Sequence, residues 1–473
     1  MQLQPEGRRT ASAAHGTGGR DGGGQAARMS TSKRRGGKST QRARILEGII
    51  AAANQDGYRG ASVSAVIGHA GVSRPTFYEY FKDRDDCFRV ALSEVQRGLV
   101  AQIRRTIGRA AAEQALHSSV ESILTFCAEQ PSEAYFLMGQ PMRAGKRAFG
   151  IRDRGLLEIE TLIGQAGTHA ASGAASSGLP PRLLVGGIYR LLYPRLRRGQ
   201  PNLYALGPEL RDWCATYEQP GGQQPWQPAE PNGAVRIQAQ HPAPAPPRLV
   251  RGRRGRSKSE IAENHRERIL HAAAVLAQRK GYDATTIADI TRLAGVDGRS
   301  FYNAFADKQH AFMALHERGV QQVMNATAQA FFNGKSWPER IWSAGQALTE
   351  FLEQNPLITH VGFVEAHAVG PGAIQRVEDS HVAFAIFLQE GYRHPKLREP
   401  PPTQLALEAI IATIFETIYQ AARATPRPQL TRLLPLLAYT ALAPFLGAQE
   451  ADTFIAQRLK QGARAPRPPR VSL

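Results

Sequence analysis

Arg74, Thr76, Tyr78 and Glu79 place a guanidinium, a hydroxyl, a phenol and a carboxylate within one short segment. An Arg fork matches the acceptors of guanine and an acid accepts from cytosine, so this set suits base edges in a DNA groove. That chemistry needs the four side chains outside a helix whose other face is anchored. Phe77 and Phe81 supply the anchor, four residues apart and facing inward. Ser73 can cap the helix start, and Pro75 falls in the first turn, where an N–H is spare anyway. Upstream, Ser62 can cap a short helix with Val63, Val66, Ile67 and Ala70 on one face. Gly71 then supplies a tight turn and Val72 points inward. Residues 62–81 thus read as helix, turn and helix, the layout of a groove reader.

The segment occurs twice at a constant offset of 224, from Gly71 to Gly295 and from Phe81 to Phe305. Ala70, Val72, Phe77 and Tyr78 recur as Ala294, Val296, Phe301 and Tyr302, and the caps recur in kind as Thr286 and Asp297. Arg44, Ile45, Leu46 and the pair Gly57-Tyr58 return as Arg268, Ile269, Leu270 and Gly281-Tyr282. A gapless frame of this length marks an internal duplication. The outward side chains differ: the second copy offers Arg299, Ser300 and Asn303, and Asn suits adenine. The copies are therefore expected to prefer different half-sites. Gly298 is expected to weaken the second reader helix by roughly 1 kcal/mol.

A first helix ending in Gly-Tyr, a turn Ala-Gly-Val, then Phe-Tyr-x-x-Phe and a basic residue three further on resembles the TetR/AcrR family of transcriptional repressors. That basic residue is Arg84 in one copy and Lys308 in the other. The resemblance covers about residues 38–98 and 262–324. It implies an all-α fold of two units, each a three-helix helix-turn-helix domain followed by a larger helical ligand and dimerisation domain. It implies double-stranded DNA as the partner. Ser62, Thr286, Tyr78, Tyr302, Arg84 and Lys308 are expected on phosphates, with Ser73 in the same contact set. Tyr80 keeps an aromatic that the family favours before the last Phe, and Ala304 does not. The resemblance further implies an apolar effector that splays the readers, and a bundle of residues 183–192 and 206–217 against 405–422 and 430–446. Phe136, Met138, Trp342, Phe363 and His367 are expected to line effector pockets, against the plainer reading of such aromatics as core.

Charge and composition agree with this reading. The chain of 473 residues carries a net +19, and three runs account for it. Residues 1–44 hold ten Lys/Arg against Glu6 and Asp21, residues 248–258 hold six with no acid, and residues 458–473 hold five. Two of these runs precede a reader, where they would attract phosphate without choosing sequence. The expected organisation is a disordered basic tail (1–37), a first helix-turn-helix domain (38–98) and a helical regulatory domain (99–217). A Pro/Gly/Arg-rich linker (218–257), a second reader (258–322), a second regulatory domain (323–458) and a basic tail (459–473) follow. Helix breaks are expected at Pro131, 164–178 and 194–201, with Pro356 and Gly370 echoing Pro131 and Gly145.

Three scattered cysteines make neither a disulfide framework nor a zinc site, which fits a reducing cytoplasm. No long apolar run or secretory signal is expected, hence no membrane partner. His360, Glu365 and His367 are close in sequence, but the two His are two helical turns apart, too far to share a metal. No nucleophile elbow, phosphate-cradling loop or dinucleotide fingerprint is present, so neither enzyme activity nor a cofactor is expected. The favoured expectation is a regulator whose fused halves form an intramolecular pseudo-dimer, with association of two chains left open. The alternative is a sequence-tolerant architectural DNA binder that uses its basic tails.

Overall fold

The computed structural model describes residues 23–111, 114–144, 146–169, 176–219, 245–248, 257–424 and 429–464. The first unit opens with α1 (Gly23–Gly60), α2 (Val63–Ala70), α3 (Arg74–Tyr80) and α4 (Arg84–Ile107). Their caps are the expected ones. Ser62, Ser73 and Asp83 accept from the N–H groups of Ala65, Thr76 and Asp86. Gly71 ends α2 at φ 58°, a left-handed angle that costs a larger side chain about 1 kcal/mol or more. The regulatory part follows as α5 (Ala115–Glu129), α6 (Pro131–Gly139), α7 (Lys146–His169), α8 (Pro181–Arg197) and α9 (Gly207–Ala215).

The second unit repeats the plan with α10 (Lys258–Ala284), α11 (Ile287–Ala294), α12 (Gly298–Ala304) and α13 (Lys308–Phe332). Thr286 and Asp297 cap as their counterparts do, and Gly295 turns at φ 61°. Both first helices kink at the paired glycines, Gly57 and Gly281. Then come α14 (Trp337–Gln354), α15 (Pro356–His360), a π segment (Val361–Glu365), α16 (Ala366–Val369) and α17 (Pro371–Gln389). The chain continues as α18 (Gln404–Arg423), α19 (Leu434–Leu446) and α20 (Ala448–Arg464). Pro356 opens α15 as Pro131 opens α6, and Gly370 precedes α17. Among the described residues the fold is all-α but for a ladder of two-residue strands, Ser176–Ser177 with Glu218–Gln219.

Three boundaries differ from the sequence reading. α1 begins at Gly23, ahead of the expected tail boundary; a helix already nucleated extends through residues such as 25–29 at little cost. Residues 1–22 lie outside the described residues. Pro194 does not end α8. It falls near the helix end and loses one backbone bond, while its own carbonyl accepts from Arg198. α20 runs through part of the expected C-terminal tail, because Ile455 is buried and fixes the helix. Most of the linker, 220–244 and 249–256, lies outside the described residues. α18 is long and apolar enough to cross a membrane by length and composition, yet 72% of that window is buried inside the protein.

The units meet along α8 and α18. Gly186 and Gly187 allow the close approach: a Cβ on Gly187 would stand 2.1 Å from Thr413 Oγ1 and 3.1 Å from its Cα. At the centre, Glu416 is fully buried between Arg152 (3.0 Å) and Arg190 (2.8 Å). Arg195–Glu408 (2.5 Å) and Arg423–Asp153 (3.0 Å) flank it. Tyr217 at the end of the first unit donates to Thr440 O at 2.8 Å, on α19. The bundle implied by the resemblance is therefore formed within one chain. Gly187→Val is expected to force α8 off α18 and cost about 1–3 kcal/mol of unfolding free energy, read from denaturant melts of the whole chain.

Candidate nucleic-acid interface

Each reader helix is anchored by one ring and presents its neighbour. Phe77 and Phe301 are fully buried in their own three-helix domains, while Tyr78 and Tyr302 are 50% and 60% exposed. The anchoring rings meet at a similar tilt, with Phe77–Phe81 centroids at 5.8 Å and Phe301–Phe305 at 6.0 Å. Beneath them Tyr58 meets Phe88 edge-on at 4.8 Å and Tyr282 meets Phe312 at 4.7 Å. Arg74, Glu79, Arg299 and Asn303 are exposed beside the tyrosines. Arg74 Nη2 donates to Ser64 Oγ at 2.8 Å, which holds its fork over α2. Thr76 shares a hydroxyl bond with Ser73 (2.8 Å), and Ser300 Oγ meets His265 Nδ1 at 3.1 Å. Tyr80 OH reaches Gln41 Oε1 at 3.4 Å, back on α1. Helix α12 forms with the same length as α3 despite Gly298, because Asp297 Oδ1 accepts from Ser300 N at 2.6 Å.

Arg84 and Lys308, expected on phosphate, are instead engaged inside the protein. Arg84 Nη1 donates to Tyr58 O at 3.0 Å, pairs with Asp85 and lies 4.4 Å over the Tyr58 ring. Lys308 Nζ donates to Tyr282 O and Thr285 O at 2.9 and 2.8 Å, 4.1 Å over the Tyr282 ring. Both donate to carbonyls at the ends of the long first helices, so they fix how the reader joins those helices.

Sequence reasoning missed the arginine that locks the turn. Arg44 Nη2 donates to Ala70 O and Gly71 O, both at 2.5 Å, and Arg268 does the same to Ala294 O and Gly295 O. Its recurrence in the gapless frame was the available signal. Arg44→Ala is expected to free two carbonyls at the turn and cost about 1.5–3 kcal/mol, measured as a lower melting temperature and weaker DNA binding. One arginine of the central basic run also reaches this turn: Arg248 lies against Gly295, its backbone tied down where Asn264 Nδ2 donates to Pro247 O at 3.1 Å.

The two readers touch. Arg59, at the end of α1, pairs with Asp283 and lies 4.9 Å over the Tyr282 ring at the end of α10. Arg59 and Asp283 are counterparts under the 224-residue offset, so the contact sits on the local pseudo-two-fold axis.

Behind the second reader, α13, α14, α17, α18 and α19 line a partly open apolar cavity. Val323, Leu348, Phe363, Phe384, Phe415 and Ile418 give it an apolar lining. In the first unit α7 lies close along α4, with Gly155 against the Gln96 side chain. Of the expected pocket residues, Phe363 lines this cavity, and Met138 and His367 line a smaller one between the units. Phe136 is core, 4.9 Å from Phe88, and Trp342 is core against Phe454. Both rings fill space between helices, where apolar burial is worth most. His360 bonds Glu365 at 3.2 Å, and Glu365 accepts from Tyr282 N at 2.8 Å, so this carboxylate caps the Gly281 kink. Among the described residues no cluster of His, Cys, Asp and Glu could hold a metal ion, and Cys87, Cys127 and Cys214 are free and buried.

Comparison with known proteins agrees with this geometry. The family model for bacterial regulatory proteins, tetR family, matches residues 45–91 and again 269–315. The HTH-type transcriptional repressor KstR of Mycolicibacterium smegmatis is 27% identical over 163 residues, 33% of this chain and 76% of that protein. The nucleoid occlusion factor SlmA of Vibrio cholerae is 29% identical over 140 residues, 29% of this chain and 70% of that protein. A crystal structure of a bacterial regulatory protein in the tetR family from Rhodococcus RHA1 is covered to 98% by 39% of this chain, at 21% identity and a TM-score of 0.33. Both copies of the capped helix pair, its glycine turn and its buried phenylalanine fall inside the matched segments, so the segment that the tetR-family model describes occurs twice in this chain.

Proposed function

We propose that this chain is a DNA-binding transcriptional regulator whose two fused units serve as a pseudo-dimer on one operator. The observation that carries the reading is the pairing of two complete reader domains in one body, joined at α8 with α18 and at Arg59 with Asp283. In this reading residues 38–98 and 258–322 are the readers, and 99–217 and 323–458 are the regulatory domains. Arg74, Thr76 and Glu79 read one half-site, and Arg299, Ser300 and Asn303 read the other. Tyr78, Tyr302, Ser62, Ser73 and Thr286 lie at the edges and contact phosphate, with Arg248 adding charge.

The relative KstR is by name a repressor, and repression is the output we assign here. An apolar effector in the cavity of the second unit would favour a splayed arrangement of the readers and so release DNA. The effector need only bind that arrangement more tightly than the DNA-bound one. Selection of bound sites from a random DNA pool tests the whole reading. It should return two unlike half-sites about one helical turn apart, bound by one chain. Recovery of a single half-site, of a strict palindrome, or of no preferred sequence would overturn it.

A further inference from the structure

The apolar cavity of the second unit has one polar side chain with unspent hydrogen bonds. His316, on α13, lines the cavity and is 7% exposed, and among the described residues it makes no hydrogen bond. The two hydroxyls that also line the cavity are spent on their own helices. Thr327 Oγ1 donates to Val323 O and Ser380 Oγ to Arg376 O, both at 2.7 Å. A buried donor or acceptor left alone is costly, so the His316 ring calls for a partner on whatever fills the space.

Charge and size say what that partner is. Burial, with Arg376 nearby, pushes the His316 imidazole down to about 4. Near neutral pH the ring is therefore uncharged and offers one N–H and one acceptor nitrogen. Among the described residues that line the cavity, none is Lys, Arg, Asp or Glu. Arg376 and Glu317, the charged groups next to His316, pair with each other at 3.2 Å outside the lining and stay 40% and 65% exposed. A carboxylate or phosphate would thus be buried without a counter-charge, which is costly. The free volume is about 110 Å³. One water needs roughly 10–15 Å³ on that measure, so on the order of seven to ten non-hydrogen atoms fit. Phe363, Phe384, Phe387 and Phe415 offer ring faces and edges to them.

We propose that this cavity takes one uncharged, largely apolar molecule with a single hydroxyl or carbonyl, that group on the His316 ring and the rest among the phenylalanines. This rests on reading the cavity as the effector site, and it names the class of effector. It also sets the number at one per chain. The 224-residue offset puts Leu92 where His316 stands and Gln96 where Val320 stands. Leu92 is 0% exposed and Gln96 lies against Gly155, so the first unit lacks the polar anchor and fills its place.

Calorimetric titration of the full chain, without DNA, tests this with phenethyl alcohol, ethylbenzene and phenylacetate, which differ only in their end group. Phenethyl alcohol should saturate at one site per chain, and phenylacetate should bind about a hundredfold more weakly or not at all. His316→Leu should weaken phenethyl alcohol by about fivefold or more, while ethylbenzene holds or tightens. If that variant fails to fold, the ring-nitrogen NMR signals of His316 in the parent carry the test. They should move with phenethyl alcohol and far less with ethylbenzene. Phenylacetate as tight as the alcohol, an equal effect of His316→Leu on alcohol and hydrocarbon, or a second equal site per chain overturns the proposal. So does the absence of saturation by any probe at its solubility limit. Binding in the expected pattern with no change in operator affinity would uphold the ligand class and overturn the effector reading instead.

Discussion

Glu416→Ala lowers the unfolding free energy of the chain by about 3–5 kcal/mol, the largest loss expected from any single exchange between the units. Glu416 is 0% exposed, and its two partners sit on α7 and α8 of the other unit. Burial alone would push its carboxyl up, but Arg152 and Arg190 override this and hold it below the usual carboxylate range. Removing it leaves two guanidinium groups facing each other out of water. Because the folded pKa is depressed, the stabilisation is full above the unfolded value near 4.5 and fades as pH falls through the folded one. The gap between parent and variant in urea melts should therefore narrow in acid. Replacing the triad as a whole, with Arg152→Met, Glu416→Leu and Arg190→Met, should restore most of the loss, since an apolar trio of similar volume needs no partners. A variant as stable as the parent at neutral pH would show that the triad does not hold the units together.

Stripping one reader of its contacts, by Arg299→Ala with Asn303→Ala, is expected to weaken operator binding by about 10²–10⁴ without unfolding the chain. Both residues are exposed on α12 and support no buried neighbour, so stability stays within about 0.5 kcal/mol. The large effect comes from linkage. Once α3 is seated, the second reader meets its half-site at an effective concentration near millimolar, and that advantage disappears with its base contacts. The matching exchange in the first reader, Arg74→Ala with Glu79→Ala, should relax choice at the other half-site only. Gel shifts on operators mutated in one half at a time separate the two. Loss of choice at both halves from either exchange would mean that the readers do not act on separate sites.

The reader domains were legible in the sequence because their determinants are local. A cap, a glycine at positive φ and a pair of rings four apart each act within a turn or two, and each appears twice in register. Arg44 and Arg268 were visible only as a repeated residue, since their acceptors lie a helix away. Arg84 and Lys308 were expected on phosphate because they fill the basic position of the resembled motif. Their carbonyl acceptors on Tyr58, Tyr282 and Thr285 lie far back along the chain, and nothing in the spacing announces them. Beyond the readers the signal thins. Whether Phe136 or Phe363 faces a cavity depends on how far α7 and α17 stand from α4 and α13. In the first unit small Gly155 lets Gln96 close the gap, and no local pattern records that.

The meeting of Arg59 with Asp283 has a consequence for how such a chain can change. In an assembly of two identical subunits, whatever lies on the symmetry axis must tolerate its own image. An arginine there would confront an arginine. Joining the copies in one polypeptide lifts that rule, and opposite charges now occupy what was once a single site. Neither half can then stand in for the other: two first units would repel at this point, and so would two second units. The fused molecule has thus gained a contact that no pairing of two like units could make.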